Sequence, residues 1–418
     1  MLLCIMMLMI GISVSAQVTT SSISGIVLDE NEAPLIGATV EAKHIPSGTV
    51  YGAIANLDGR FDMQGMRTGG PYTVKVSFIG YSTNVINDIT LQLGETYDLT
   101  VNMKPSDYQL DEIVVSAVKT KFGASKTGAS TNISMSQIAS MPTVNRSIAD
   151  VTRLSPYAGS GMSFAGGDGR STNFTVDGAN FNNNFGLSDK LPGGGTPISL
   201  EALEEMQVVI APYDLRQTNF VGGGVNAVTK SGTNTFKGSA YTYQYNEDMR
   251  GNRVAGEELG NRGIDRKHVY GATLGGPIIK DKLFFFGNFE YQQIPTTATE
   301  WRASADGVAN ASNYVSRTTL SDLATVSEYV KNKYGYDTGS WTDFPADESN
   351  IKFLARIDWN IANNHKLALR YNYTKNQYWN APNGNSTDAN YRNKSYNRMS
   401  QMSMAFANSM YSMDNIVH

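Results

Sequence analysis

The sequence has 418 residues, 41% hydrophobic and 17% charged, and its 34 Lys+Arg against 38 Asp+Glu leave a formal net charge of -4. That balance excludes a strongly basic nucleic-acid binder and a charge-driven disordered chain, so no nucleic-acid partner is expected. A single cysteine, Cys4, and four scattered histidines, His44, His268, His365 and His418, exclude an intrachain disulfide framework and a compact Cys/His metal motif. The length allows two or more domains, and 40 glycines with 22 tyrosines favour strands and turns over long helices.

Met1 to Val14 is an uncharged apolar run followed by Ser15-Ala16-Gln17, with Val14 and Ala16 where a signal peptidase prefers small residues. A permanent membrane helix needs about 20 residues, so 1–16 reads as an export signal, with a buried core helix as the alternative. The first basic residue is Lys43, which leaves the true start codon open.

From Ile23 to Pro105 the chain alternates short apolar and polar steps between turns such as Asp58-Gly59. Val74, Val76 and Phe78 fall on one face of a strand, and Lys75 and Ser77 on the other. About seven such strands predict a small β-sandwich over 17–105. The runs SGIVLDENEAPLIGATVEAK, ANLDGRFDM and VKVSFIGY resemble the carboxypeptidase-regulatory-like domain, which is an accessory sandwich and not the peptidase. His44 has no partner at zinc-motif spacing, and no metal site is expected.

Residues 106–126 form a linker holding Asp111-Glu112-Ile113-Val114-Val115. The β-branched core suits an extended strand, and one more sandwich or linker strand is an equal reading of the residues alone. DEIVVSA at this place is similar to the TonB box of TonB-dependent outer-membrane receptors. The resemblance implies TonB as a periplasmic partner that takes Asp111, Glu112, Ile113, Val114 and Val115 as an added strand, where backbone hydrogen bonds do the holding.

Between 127 and 231 short helices are predicted at Met135 to Ala139, Ser147 to Leu154 and Leu200 to Glu205, with strands at NFTVDG and EEMQVVIA. Gly222-Gly223-Gly224 lacks the Lys-Ser/Thr of a phosphate loop and reads as a place where backbone bends or packs closely. SIADVTRLSPY, RSTNFTVDGANF, SLEALEEMQVVIAPYD and GGGVNAVTKSGTN, in this order, resemble the plug domain of the same receptors. Asn180, Asn182, Asn183 and Asn184 could face a polar ligand, although Asn is also an ordinary turn residue.

Fifteen of the 22 tyrosines and all four tryptophans follow Ser231, as expected of strands meeting lipid headgroups. Ile351, Phe353, Ala355, Ile357, Trp359 and Ile361 alternate with Lys352, Arg356, Asp358 and Asn360; Leu367, Leu369, Tyr371 and Tyr373 alternate with Lys366, Arg370, Asn372 and Thr374. Leu283, Phe285, Phe289 and Tyr291 likewise oppose Asn288, Glu290 and Gln292. A soluble sandwich shows the same period. A short Asn363-Asn364 turn beside a long polar excursion from Pro295 to Asn350 favours a transmembrane barrel over 232–418.

The fold class expected is mainly β: a sandwich, a mixed α/β plug, and the first six to eight strands of an incomplete antiparallel transmembrane β-barrel. Barrels of the resembled family have about 22 strands, so the chain reads as the N-terminal part of a longer product. The resemblance, of the Bacteroidetes type and Oar-like branch, implies an outer-membrane receptor or transporter with no enzymatic activity and no cofactor. Its partners would be TonB, outer-membrane lipid, an unknown ligand and a surface lipoprotein lid. GDGRSTNFTVDG stands where the glycan-importing branch carries an arginine-rich strand, so the cargo stays open among glycan, peptide, protein and chelate. An adhesive or structural surface protein remains the alternative function.

Overall fold

The computed structural model describes residues 18–106, 113–116, 129–141, 143, 146–182, 191, 196–212, 217, 220–251, 253–258, 266–295, 302–310, 315–337, 347–362, 365–380, 393–406, 409–411 and 416–417. The export signal, Asp111, Glu112, Asn183, Asn184 and the Asn363-Asn364 turn lie outside them.

Seven strands build the sandwich: β1 Ser21–Leu28, β2 Thr39–His44, β3 Thr49–Ile54, β4 Arg60–Met66, β5 Gly69–Ser77, β6 Asn84–Leu91 and β7 Thr96–Asn102. One sheet has the order β4-β1-β7; the other is β3-β2-β5-β6, extended by β8, Ile113–Ser116. Between the sheets lie Ile23, Val27, Val40, Phe61, Met63, Tyr72, Val74, Val76, Ile89 and Val101. Burying such side chains contributes roughly 1.5–3 kcal/mol each before entropy is counted. Gly59 turns with φ +72, and a Cβ there would meet the Val27 carbonyl oxygen at 2.7 Å.

A second sheet, order β11-β10-β13-β12-β9, is assembled from β9 Ala129–Ser134, β10 Asn173–Val176, β11 Ala179–Asn180, β12 Leu203–Ala211 and β13 Gly224–Thr229. Helix α1, Met135–Ser140, starts in a capping box of Ser134 and Gln137, and α2, Ile148–Thr152, in one of Ser147 and Asp150. The third predicted helix is a correction. Ser199 caps a single 3-10 turn at Leu200–Ala202, and Leu203 to Glu205 already belong to β12. The reason is tertiary, because β12 is flanked by both β13 and β9, and ladder bonds on both edges outweigh a capped turn. At the triple glycine, Gly222 has φ +99 and a Cβ on Gly223 would meet the Phe164 ring at 2.8 Å, which is the close packing expected there.

The third sheet is antiparallel and open, with the order β14-β17-β18-β21-β22-β23-β24 and β25 also on β23. Its long strands are β14 Lys237–Tyr245, β17 Lys267–Ile279, β18 Leu283–Ile294, β21 Glu348–Ala362, β22 His365–Asn380 and β23 Asn393–Phe406; β24 is Ser409–Tyr411 and β25 Ile416–Val417. Connections alternate between short, as from Ile279 to Leu283 and Ala362 to His365, and long. The long excursion before β21 departs from the expectation of no long helix. Besides the small pairs β15 Arg253–Val254 with β16 Glu257–Glu258, and β19 Arg302–Ser304 with β20 Val315–Thr319, the loops hold α3, Leu320–Tyr334. Thr319 and Asp322 form its capping box and Gly335, φ 67, its left-handed C-cap. These are local signals that a reading for strand alternation passes over.

Candidate gate between plug, barrel wall and sandwich

Burial along the third sheet is inverted relative to a soluble strand. On β21, Lys352, Leu354, Arg356 and Asp358 are buried, whereas Phe353, Ile357, Trp359 and Ile361 are 40–47% exposed. β18 buries Asn288, Glu290 and Gln292 and exposes Phe289; β22 buries Arg370, Asn372, Thr374 and Asn376 and exposes Tyr371. The polar row is covered by the plug sheet. An apolar row facing outward is stable against hydrocarbon and not against water, which decides between barrel and soluble sandwich.

Register brings charges together. Glu290 lies opposite Lys352, and Lys352 Nζ donates to Glu290 Oε1 at 2.6 Å. The other carboxylate oxygen of Glu290 accepts from Ser199 Oγ of the plug at 2.8 Å and from Tyr241 OH at 2.9 Å. Beside it Arg146 of the plug pairs with Glu201 at 3.0 Å and lies over the Tyr243 ring, 3.8 Å from its centroid. Thr374 Oγ1 donates to the Pro197 carbonyl at 2.5 Å.

Arg356 lies opposite Arg370, a like-charge pair that a sheet disfavours unless an anion enters. Asp177 of the plug supplies it. Asp177 (φ 50) and Gly178 (φ 86) form the two-residue turn between β10 and β11, the Asp-Gly chemistry of a tight hairpin. The turn carries the carboxylate to 3.8 Å from Arg356 and 3.4 Å from Arg370. Thr229 holds it from behind, with its N–H donating to Oδ1 at 3.0 Å and its Oγ1 to Oδ2 at 2.6 Å. Arg356 also donates to the Thr229 carbonyl at 2.7 Å and in fork geometry to Asp358 at 2.8 and 2.9 Å. From the sandwich, Arg67 reaches Asp358 at 3.4 Å. Plug, wall and sandwich thus share one buried ion cluster.

The sandwich docks at the end of the sheet where connections are short. Asn234 N–H donates to the Pro46 carbonyl at 2.8 Å, Asn360 Nδ2 to Thr49 Oγ1 at 3.0 Å, and Lys366 Nζ lies 3.2 Å from the Tyr51 ring centroid. Leu93, in the β6–β7 turn, donates its N–H to Glu205 Oε2 at 3.0 Å and accepts from Gln207 at 2.7 Å and Asn132 at 3.1 Å. Burial pushes the Glu205 carboxyl up to about 8, with Glu95 and Glu204 adding to the rise and the Leu93 N–H opposing it. His44 is held down at about 3, by burial first and then by the charges of Arg67 and Lys366, so its ring is neutral where it bonds Ser47 at 2.6 Å. A cavity of about 1300 Å³ opens between the three parts, lined among others by Arg67, Glu204, Lys230, Arg356 and Lys366.

Of the residues singled out in the sequence, Ile113, Val114 and Val115 form β8, paired in parallel with Asn84, Val85 and Ile86. Asn180 Oδ1 accepts from the Asn182 N–H at 2.7 Å; Asn182 bonds Phe174 N–H at 2.6 Å and Asn173 Oδ1 at 2.7 Å, holding the plug's own turn. Glu290, Lys352, Arg356 and Arg370 were named only for their strand face, and Asp177 only within NFTVDG; none was read as a site residue. Their signal was present as charges on the alternate face of otherwise apolar strands.

Two family models match: the carboxypeptidase regulatory-like domain over residues 22–104 and an outer membrane beta barrel domain over residues 228–413. The curated protein "TonB-dependent transporter Oar" of Myxococcus xanthus is 25% identical over 325 residues, which is 73% of this chain and 29% of that protein. Over this stretch the chain is similar to an Oar-type TonB-dependent transporter. It therefore combines an accessory sandwich with an outer-membrane β-barrel domain, and it spans less than a third of the length of the Oar protein it matches. Among solved structures, the outer membrane transporter YddB from Escherichia coli is similar over 66% of this chain and 36% of its own, at 13% identity and TM-score 0.45. The siderophore receptor PirA from Pseudomonas aeruginosa is similar over 67% and 38%, at 13% identity and TM-score 0.41.

Proposed function

We propose that the protein takes up a ligand across the outer membrane and is energised by TonB, which draws on the strand around Ile113 to Val115. The reading rests on one observation above others: a polar-lined wall whose facing arginines, Arg356 and Arg370, are neutralised by a carboxylate from the plug. Such a plug is held by a few strong, localised contacts, so a pull at one end can free it without unfolding the wall. Short connections mark the periplasmic end of outer-membrane barrels, and the sandwich and β8 lie at that end, where TonB would reach them.

The division proposed is 1–16 export signal, 17–105 sandwich, 106–126 linker with the TonB box, 127–231 plug and 232–418 barrel. Asp111 and Glu112 complete the box with Ile113, Val114 and Val115. The plug surface offered to ligand is the turn of Asn180, Asn182, Asn183 and Asn184, in which Asn182 serves the turn itself. No covalent chemistry and no cofactor enter this reading.

A cysteine at Val114 tests it, in cells carrying TonB with a cysteine in its strand-accepting edge. A disulfide between the two, together with ligand uptake that stops when TonB is deleted, is expected. Surface binding that persists without any TonB crosslink would replace transport by adhesion.

A further inference from the structure

β8 occupies the outer edge of the second sandwich sheet, where β6 has β5 on its other side. Four residues pair in parallel register: Asn84 with Ile113, Val85 with Val114, Ile86 with Val115 and Asn87 with Ser116. The described ladder runs to Asn87, and the next residue of β6, Asp88, takes a left-handed φ of 63, a non-glycine irregularity in the strand. Parallel pairing is the weaker kind. Without β8 the row of β6 backbone groups would stand open, which is a strand-accepting edge.

We infer that the β6 edge is a second acceptor for the Ile113–Ser116 segment, and that the sandwich holds the segment at rest in competition with TonB. This rests on the reading of that segment as the TonB-gripped strand. Strand addition depends mainly on backbone bonds, so a β-branched stretch such as Ile-Val-Val fits either edge. The clasp also withholds the segment from the pull. Twelve residues separate Ser116 from the first plug strand at Ala129, a tether of up to about 45 Å when extended. While β8 is clasped TonB has no hold on it, and the segment stays tied to the sandwich, which is fastened to the wall through Pro46, Thr49 and Arg67. Only after β8 leaves β6 does the pull pass to β9 and the plug. The sandwich thus limits how often TonB captures the segment.

The test is a cysteine pair at the register partners Val85 and Val114, in a sequence whose only other cysteine is Cys4. Binding of the purified periplasmic domain of TonB is measured to the oxidised protein, the reduced protein and a free peptide of residues 106–126. The clasp predicts that the disulfide forms readily, that a Thr96→Cys/Val114→Cys control forms none, and that oxidation weakens TonB binding at least tenfold with recovery on reduction. Failure of the Val85–Val114 disulfide, or a disulfide that leaves binding unchanged, overturns the clasp while leaving the box intact. A peptide that does not bind TonB overturns the box reading itself, and the competition with it.

Discussion

The sandwich and the barrel sheet are written in the same alternating code and fold it in opposite senses. On β5, Val74 and Val76 are buried and Lys75 is exposed; on β21, Lys352, Arg356 and Asp358 are buried and Phe353, Ile357 and Trp359 face out. Alternation specifies a strand with two unlike faces, but the surroundings decide which face is inside. In the sandwich the second layer is another apolar sheet, and water takes the polar row. In the barrel the second layer is a polar-edged plug, and lipid takes the apolar row.

The plug's hold is the sharpest place to break this contrast. Asp177→Ala leaves Arg370 without the carboxylate that faces it, while Arg356 keeps Asp358, and an uncompensated buried charge costs about 3–5 kcal/mol. The expected outcome is a wall that stays folded while the plug loosens, seen as faster proteolysis of 129–229 and raised ion conductance in planar bilayers. Unchanged conductance and protease resistance would remove the ion cluster from the gate. Next in size is a pair of matched substitutions. Ile357→Arg on the outward row should cost about 2–4 kcal/mol of barrel stability near the bilayer midplane, whereas Ile54→Arg, at a sandwich site 71% exposed, should stay within about 0.5 kcal/mol. Equal costs in urea unfolding from liposomes would mean that the outward row does not face lipid.

Much of this architecture was legible because strands advertise their faces at period two. Val74 and Val76, or Phe353 and Ile357, need no partner to be recognised as one row. Partners were illegible, since Arg356 and Arg370 are fourteen positions apart in a run of many charges, and only register shows them opposed. Asp177 was quoted only inside the strand segment NFTVDG; nothing local says that it aims at two arginines. The Leu200 to Glu205 helix failed for the same reason, because a cap is local while β12's two neighbours come from residues 129–134 and 224–229. For Ile113 to Val115, β propensity was readable, but the choice between β6 and an outside sheet was not.

The smallest effect expected contrasts two plug carboxylates. Asp177 is buried against arginines, whereas Glu205 is buried with the Leu93 N–H on its carboxylate and with Glu95 and Glu204 nearby. Its pKa in the docked state is raised to about 8 from an ordinary 4.5, so the docked state binds the extra proton between those values. Docking of the sandwich on the plug is therefore strongest below about 4.5, weakens progressively as pH rises towards 8, and loses this contribution above it. Exchange of the Leu93 amide, corrected for the intrinsic pH dependence, should show protection falling from pH 5 to pH 8.5. Glu205→Gln, which keeps a side-chain acceptor for that N–H and carries no charge, should flatten the profile at its low-pH level. A profile in the variant as steep as the wild type's would assign the pH response to another group and leave Glu205 as a passive hydrogen-bond acceptor.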